Sequence, residues 1–381
     1  MTARKLGVSA ALVGDALLPG DVEVDDDRVT RVGLPPAAGS RIASPGFLDL
    51  QVNGFAGIDV MAADVDELDA LGRALGRHGV TAWLPTLITA PPDAVQRALV
   101  RLGRVTAPDR RRPVGVAQPV GIHLEGPFLS PRRLGTHPPE YRRDPDASLL
   151  GRWRALAPVV AVTLAPELPG SLDLVAELAR EGVLVSLGHS DATATQAHAA
   201  FDAGARSVTH LFNAMSPLHH RAPGLPGAAL ARQDVVVQMV VDGHHLDGDV
   251  VRTAWAAARD RVVLVTDATA AAGRGDGSFT LAGVPVTVSG GAVRNAQGAL
   301  AGSALTLDAG VRNAVALGVD LVSALRAVTS TPARLLGRLD LGVIEPGARA
   351  DLVVLEEDLT VRETVIGGHR VGEGSGVGDL A

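Results

Sequence analysis

VLVSLGHSDATATQAHAAFDAGARSVTHL (residues 183–211) contains one whole unit of the fold. Val183–Leu187 is an apolar run of strand length, closed by Gly188 and His189. A helical pattern carrying His198 follows, and Ser207–Leu211 is a second strand-like run with His210 near its end. Strand, helix and strand in this order predict a parallel crossover unit. Both strands deliver an imidazole at or just past their C-terminal ends.

The same pattern extends in both directions from Pro45 onward. Apolar runs occur at Gly46–Val52, Thr81–Ile88, Val120–Glu125, Val159–Leu164, Val235–Val241 and Val262–Thr266. Helical patterns fall between most of them, at Val65–Arg77, Asp93–Gly103, Leu172–Arg180 and Asp249–Arg259. Eight buried-type strands with helical crossovers predict an α/β chain folded as a (β/α)8 TIM-like barrel. A doubly wound open sheet is the structural alternative. The flanks read differently. Residues 1–44 and 336–381 are β-rich, and they predict one small sandwich built from both chain ends around a catalytic barrel at 45–335, with a disordered tail after it. The Gly-rich stretch 273–300 reads as a hairpin-like insertion, and helical patterns return at Ser303–Leu317 and Leu321–Leu336.

Composition narrows the chemistry. The 381 residues carry 35 basic and 42 acidic side chains, a net charge of -7. No basic block stands out beyond Arg110–Arg112, so nucleic-acid binding has little support. With no cysteine, disulfides, thiolate ligands and a Cys nucleophile are all excluded. Nothing reaches the ~18 apolar residues of a membrane span, and Asp15 interrupts the faintly signal-like N-terminus. We read the chain as cytoplasmic. Lys5 is the sole lysine, which leaves no candidate for a Schiff-base, P-loop or metal-bridging carbamylated lysine in the interior.

In the barrel register, Glu125 ends strand 3, His189 follows strand 5, His210 ends strand 6 and Asp267 follows strand 8. Glu125, His189 and His210 form a three-ligand set for one divalent ion with a position left open for water. Asp267 in LVTDAT is a candidate general base, with helix N-capping as its ordinary alternative. Gln51 and Asn53 occupy the place where many metal-dependent barrel hydrolases carry His-x-His; neutral amides are poor ligands for a transition metal, so a single metal is expected. The turn at Asn213 and Ala214, with Arg221 nearby, suits a phosphate. His245 can reach a substrate, and His137 on a Pro-rich loop reads equally as a site residue or a surface one. His219 and His220 read as exposed loop residues.

With these residues in hand, PGFLDLQVNG, HLEGPFL, GTH, GHSDAT, THLFNAMSPLHHR, DGHHLD, LVTDA and TPARLLG…GVIEPGARADLVVL resemble segments of the N-acetylglucosamine-6-phosphate deacetylase family of the amidohydrolase superfamily, in the family's order. The resemblance implies a hydrolase acting on an amino-sugar phosphate with zinc, or Fe2+, Co2+ or Mn2+, on Glu125, His189 and His210. It implies that Asp267 takes a proton from the attacking water and later gives it to the leaving amine, and that His137 contacts the N-acetyl group. It implies that His245, Arg221 and the backbone at Asn213 and Ala214 hold sugar or phosphate, with one phosphate contact crossing between subunits of a homodimer. The family often has Lys before Gly-x-His, where this chain has Leu134. Another amidohydrolase reaction, such as deamination or cyclic-amide opening, and a non-catalytic sugar-phosphate-binding protein are the rival readings.

Overall fold

A computed structural model describes residues 3–111 and 113–372; the tail beyond Gly372 lies outside the described residues. Its centre is a nearly closed barrel of eight parallel strands: β1 (Phe47–Val52), β2 (Val80–Ile88), β3 (Ile122–Glu125), β4 (Val159–Leu164), β5 (Leu184–Leu187), β6 (Ser207–Val208), β7 (Val236–Met239) and β8 (Val262–Leu264). Each strand pairs in parallel with the next in sequence order. A doubly wound sheet would reverse its strand order part-way, so that alternative falls. The seam between β8 and β1 is closed by a parallel bridge of Val52 with Ala268 and by the Asp49 carboxylate, which accepts from the Thr266 N–H (3.2 Å) and hydroxyl (2.6 Å).

The strands are apolar throughout because both of their faces are covered. Leu48, Leu50, Ala82, Leu84, Ala161, Leu184, Val263 and Val265, at alternating positions, form one buried cluster with Ala333 and Leu305. The other set, including Trp83, Leu87, Leu124, Val162 and Val185, packs against the surrounding helices. A fully buried side chain of this kind contributes on the order of 1.5–3 kcal/mol. The helices carry the matching apolar stripe. In Val65–Gly76, Leu68, Leu71 and Leu75 are buried, and Asp64 with Glu67 forms a reciprocal capping box that fixes where the helix starts.

The stretch 321–336 departs from the single helix its pattern suggests. It forms two helices, Leu321–Arg326 and Ser330–Leu335. Pro332 has no N–H to give to the carbonyl of Val328. That carbonyl instead accepts from Leu48 N–H at 2.7 Å, and Ala327 O accepts from Leu264 N–H at 3.0 Å. The break thus supplies acceptors to Leu48 near the start of β1 and to Leu264 at the end of β8.

Outside the barrel, a six-stranded sheet sets Ala16–Pro19, Ala10–Val13 and Ile42–Pro45 side by side and joins them, through pairing of Ile42–Pro45 with Leu352–Leu355, to Val361–Ile366 and His369–Arg370. A three-stranded sheet of Arg4–Lys5, Asp21–Asp25 and Arg28–Leu34 shares a core with it through Val22, Val24, Val29, Leu352 and Val365. Gly277–Leu281, Val284–Ser289 and Ala292–Asn295 form a separate antiparallel sheet. No helix among the described residues is long and apolar enough to cross a membrane.

Candidate active site

The carboxyl ends of the strands open into a cavity of about 310 Å³, lined by Glu125, His137, His189, His210, Asn213, Ala214, His245 and Asp267. That falls at the small end of the ~300–1,000 Å³ usual for small-molecule sites. Glu125 is the last residue of β3, but β5 and β6 end two residues before their histidines, and β8 ends three before Asp267. His189, His210 and Asp267 have positive φ (47°, 31° and 50°). Such backbone is uncommon for residues with a side chain and recurs where function holds it. Gly302 (φ 61°) makes room beside Asp267: a Cβ there would meet the Asp267 carbonyl oxygen at 2.7 Å.

The three proposed ligands converge. His189 Nε2 and His210 Nε2 lie 3.1 and 3.0 Å from the same Oε1 of Glu125 and 3.1 Å from each other. All three side chains are buried. His189 Nδ1 lies 2.9 Å from the Arg133 carbonyl oxygen, so Nδ1–H donates there and the lone pair is on Nε2. Two imidazole nitrogens pointed at one another and at one carboxylate oxygen cannot all be matched by hydrogen bonds. A divalent cation satisfies them together, since donors in a tetrahedral site with ~2.0–2.1 Å bonds stand about 3.3 Å apart. The residues fit a metal. Burial alone would raise the Glu125 pKa, but the bonds and charges of the two histidines outweigh it and hold the carboxyl well below its usual range.

Gln51 and Asn53 have a part their sequence position did not reveal. The Gln51 amide donates to Glu125 Oε1 (3.1 Å) and to Asp267 Oδ1 (3.0 Å), and Asn53 donates to the same Asp267 oxygen at 2.7 Å. Asp267 is buried, and burial followed by the Glu125 charge raises its pKa to about 6. His137 is also buried. Thr89 N–H donates to its Nδ1 (3.3 Å), with the Thr89 hydroxyl at 2.9 Å, which leaves the proton on Nε2, 3.9 Å from Glu125 Oε2. Burial first, then the neighbouring His189, push the His137 pKa down to about 3, so it is a neutral N–H donor. His245 donates from Nδ1 to Asp242 at 2.8 Å. The N–H of Asn213 is committed to the His210 carbonyl (3.0 Å).

Arg221 is not brought to this cavity; it is exposed, and its N–H meets His219 Nδ1. His219 and His220 are exposed beside it. Arg132, Arg133, Leu281, Ala299 and Leu300 line the cavity without having been singled out as site residues. Thr89 could have been found by the same rule as the others, a polar residue just past a barrel strand. The wall from 277–300 carries no chemical signature.

Residues 42–371 match the amidohydrolase family. This chain belongs to that family. It is 42% identical to the N-acetylgalactosamine-6-phosphate deacetylase of Escherichia coli O157:H7 over 87% of this chain and 88% of the relative. It is 37% identical to the N-acetylglucosamine-6-phosphate deacetylase of Vibrio furnissii over 86% and 82%. Among solved structures, a mutant N-acetyl-D-glucosamine-6-phosphate deacetylase of Mycobacterium smegmatis, in complex with N-acetyl-D-glucosamine-6-phosphate, superposes with a TM-score of 0.91 at 37% identity, covering 97% of this chain and all of that one. The amidohydrolase therefore sits among deacetylases of amino-sugar phosphates in both sequence and fold.

Proposed function

We propose that this amidohydrolase removes the acetyl group from N-acetyl-D-glucosamine 6-phosphate, giving D-glucosamine 6-phosphate and acetate, in cytoplasmic amino-sugar metabolism. The observation that carries the reading is the convergence of Glu125, His189 and His210 with Asp267 and His137 around one cavity. Complete ligand and base positions argue against a binding protein that has lost its chemistry.

Glu125, His189 and His210 would hold one divalent ion, zinc by donor set. When bound, such an ion lowers the pKa of water toward about 7 and polarises a carbonyl. Asp267, fixed by Gln51 and Asn53 and raised toward neutrality, accepts the proton of the attacking water and delivers it to the departing amine. His137, neutral with Nε2–H toward the cavity, donates to the amide carbonyl oxygen as charge develops there. His245, oriented by Asp242, and the turn at Ala214 contact the sugar and phosphate; Asn213, whose N–H and side-chain amide are spent on the His210 and Leu211 carbonyls, shapes that turn. The phosphate lies far from the scissile bond, so its binding positions the amide as well as adding affinity. Arg221 is exposed and does not line the cavity of its own chain, which suits a homodimer in which Arg221 of the partner subunit completes the phosphate site.

The test is acetate release from the phosphorylated and the free sugar, with and without a chelator. Release from the phosphate ester alone, abolished by chelation and restored by zinc, supports the reading; binding of the sugar phosphate without release under any metal overturns it. The 42% identity to a galactosamine-isomer deacetylase favours N-acetyl-D-galactosamine 6-phosphate as the second substrate to assay.

A further inference from the structure

The loop between β3 and the helix Ala147–Arg154 is tied to the His189 loop at several points around one residue, Arg133. Ser130 N–H donates to the His189 carbonyl (2.9 Å), and Arg133 N–H donates back to Ser130 O (3.1 Å). The Arg133 carbonyl accepts from His189 Nδ1–H (2.9 Å). Its guanidinium reaches forward over the same loop: Nε and Nη2 lie 2.8 and 2.6 Å from Asp191 Oδ1. Asp191 is itself held, since Glu167 accepts from the Asp191 N–H (2.7 Å) and from the Ser190 hydroxyl (2.8 Å). Four residues on from Arg133, the same loop presents His137.

We propose that Arg133 and Asp191 form a latch that positions the ligand His189 and keeps His137 in register with it. The inference rests on the metal reading of Glu125, His189 and His210. A backbone carbonyl can orient an imidazole only if its own loop is held in place, and segment 130–137 of this loop, with Gly135 at φ 60°, contains no helix or strand to hold it. The side chain of the very residue whose carbonyl is used supplies that anchor, on the residue two past the histidine being oriented. As a partly exposed ion pair, Arg133–Asp191 contributes little to global stability. Its placement makes it a positioning pair: losing it frees the carbonyl, and an imidazole without its outer hydrogen bond typically binds metal 10- to 100-fold more weakly. Arg132 is the built-in comparator. It neighbours Arg133 and reaches the same carboxylate, but only at 3.3 Å and with a side chain 80% exposed.

The experiment measures zinc affinity of the full chain by competition with a chromophoric chelator, alongside hydrogen exchange of the 130–137 amides. Arg133→Gln and Asp191→Ala should each lose about 10- to 100-fold in zinc affinity and exchange faster over 130–137. The double variant should lose no more than either alone, because both changes break one contact. Arg132→Ala should stay within about twofold of the parent in zinc affinity. The thermal midpoint of the metal-free protein should barely move; if Arg133→Gln does not fold, Arg133→Lys, which keeps the charge but not the two-nitrogen contact, carries the test. Unchanged zinc affinity in both single variants, or additive losses in the double, overturns the latch. A parent protein that binds no zinc would overturn the metal reading, and the latch with it.

Discussion

Asn53 donates its side-chain amide to Asp267 Oδ1 at 2.7 Å, a bond that favours the charged carboxylate. Burial and the Glu125 charge raise Asp267 to about 6; the Asn53 bond opposes them. Asp267→Asn should leave zinc binding near normal while kcat falls by on the order of 10²- to 10⁴-fold. Asn53→Ala should act on the pH profile. A base works only when deprotonated, so the acidic limb of kcat lies at or below about 6 in the parent, where a bound cation draws it down. Removing a bond that favours the charged form moves that limb to higher pH. A limb that stays in place, measured from pH 4.5 to 8, would remove Asn53 from this role.

The positions of Gln51 and Asn53 lead to a prediction of one metal ion. Each spends its amide nitrogen on a carboxylate rather than offering a ring nitrogen to an ion. Protein dialysed against trace zinc should hold about one equivalent by elemental analysis, and Glu125→Gln or His210→Ala should abolish tight binding. Two tight equivalents would show that this corner of the barrel holds a second ion after all.

Asp49, at the β8–β1 seam, should make stability depend on pH. It is fully buried, and burial outweighs the bonds from Thr266 and Gln51, raising its pKa from 3.8 to about 7. Between those values the folded state binds a proton that the unfolded chain has released. The stabilisation from this site is therefore complete below about pH 4 and is lost as pH rises through 7. Asp49→Asn keeps an oxygen to accept from the Thr266 N–H and stays neutral. Its thermal midpoint should fall less steeply than the parent's between pH 5 and 8, a difference on the order of a few kcal/mol in unfolding free energy. Parallel curves would mean that Asp49 carries its charge in the folded state.

The barrel could be read because buried parallel strands must be apolar along their length, so each β1–β8 run stands out between helical stretches. Glu125, His189, His210 and Asp267 were legible for a related reason: polar residues just past such runs have no place in the core. What the sequence hid is carried by backbone. Strand β6 stops at Val208, two residues before His210, and His210 takes a φ of 31°, which is uncommon for a residue with a side chain. Arg133 orients His189 through a carbonyl, a group every residue has. The break at 327–329 follows from a proline in the next helix and from two strand ends that need acceptors.

Arg221 offers the most demanding prediction. Within one chain it is exposed and does not line the cavity. Arg221→Ala should cut kcat/KM for the 6-phosphate far more than for the free sugar; equal losses would remove it from the phosphate site. A mixing experiment then separates the two routes. Arg221→Ala subunits keep Asp267 but lack the arginine, whereas Asp267→Asn subunits lack the base but keep Arg221. If the contact crosses the interface, mixed dimers regain activity, because each Arg221→Ala cavity receives Arg221 of the partner subunit. At equal ratio with random exchange, about half the dimers are mixed and each has one working site, so roughly a quarter of parental activity is expected, by counting sites in a two-subunit closed assembly. Activity no higher than the sum of the two separate variants, with subunit exchange shown by mass, would place the arginine's action within its own chain.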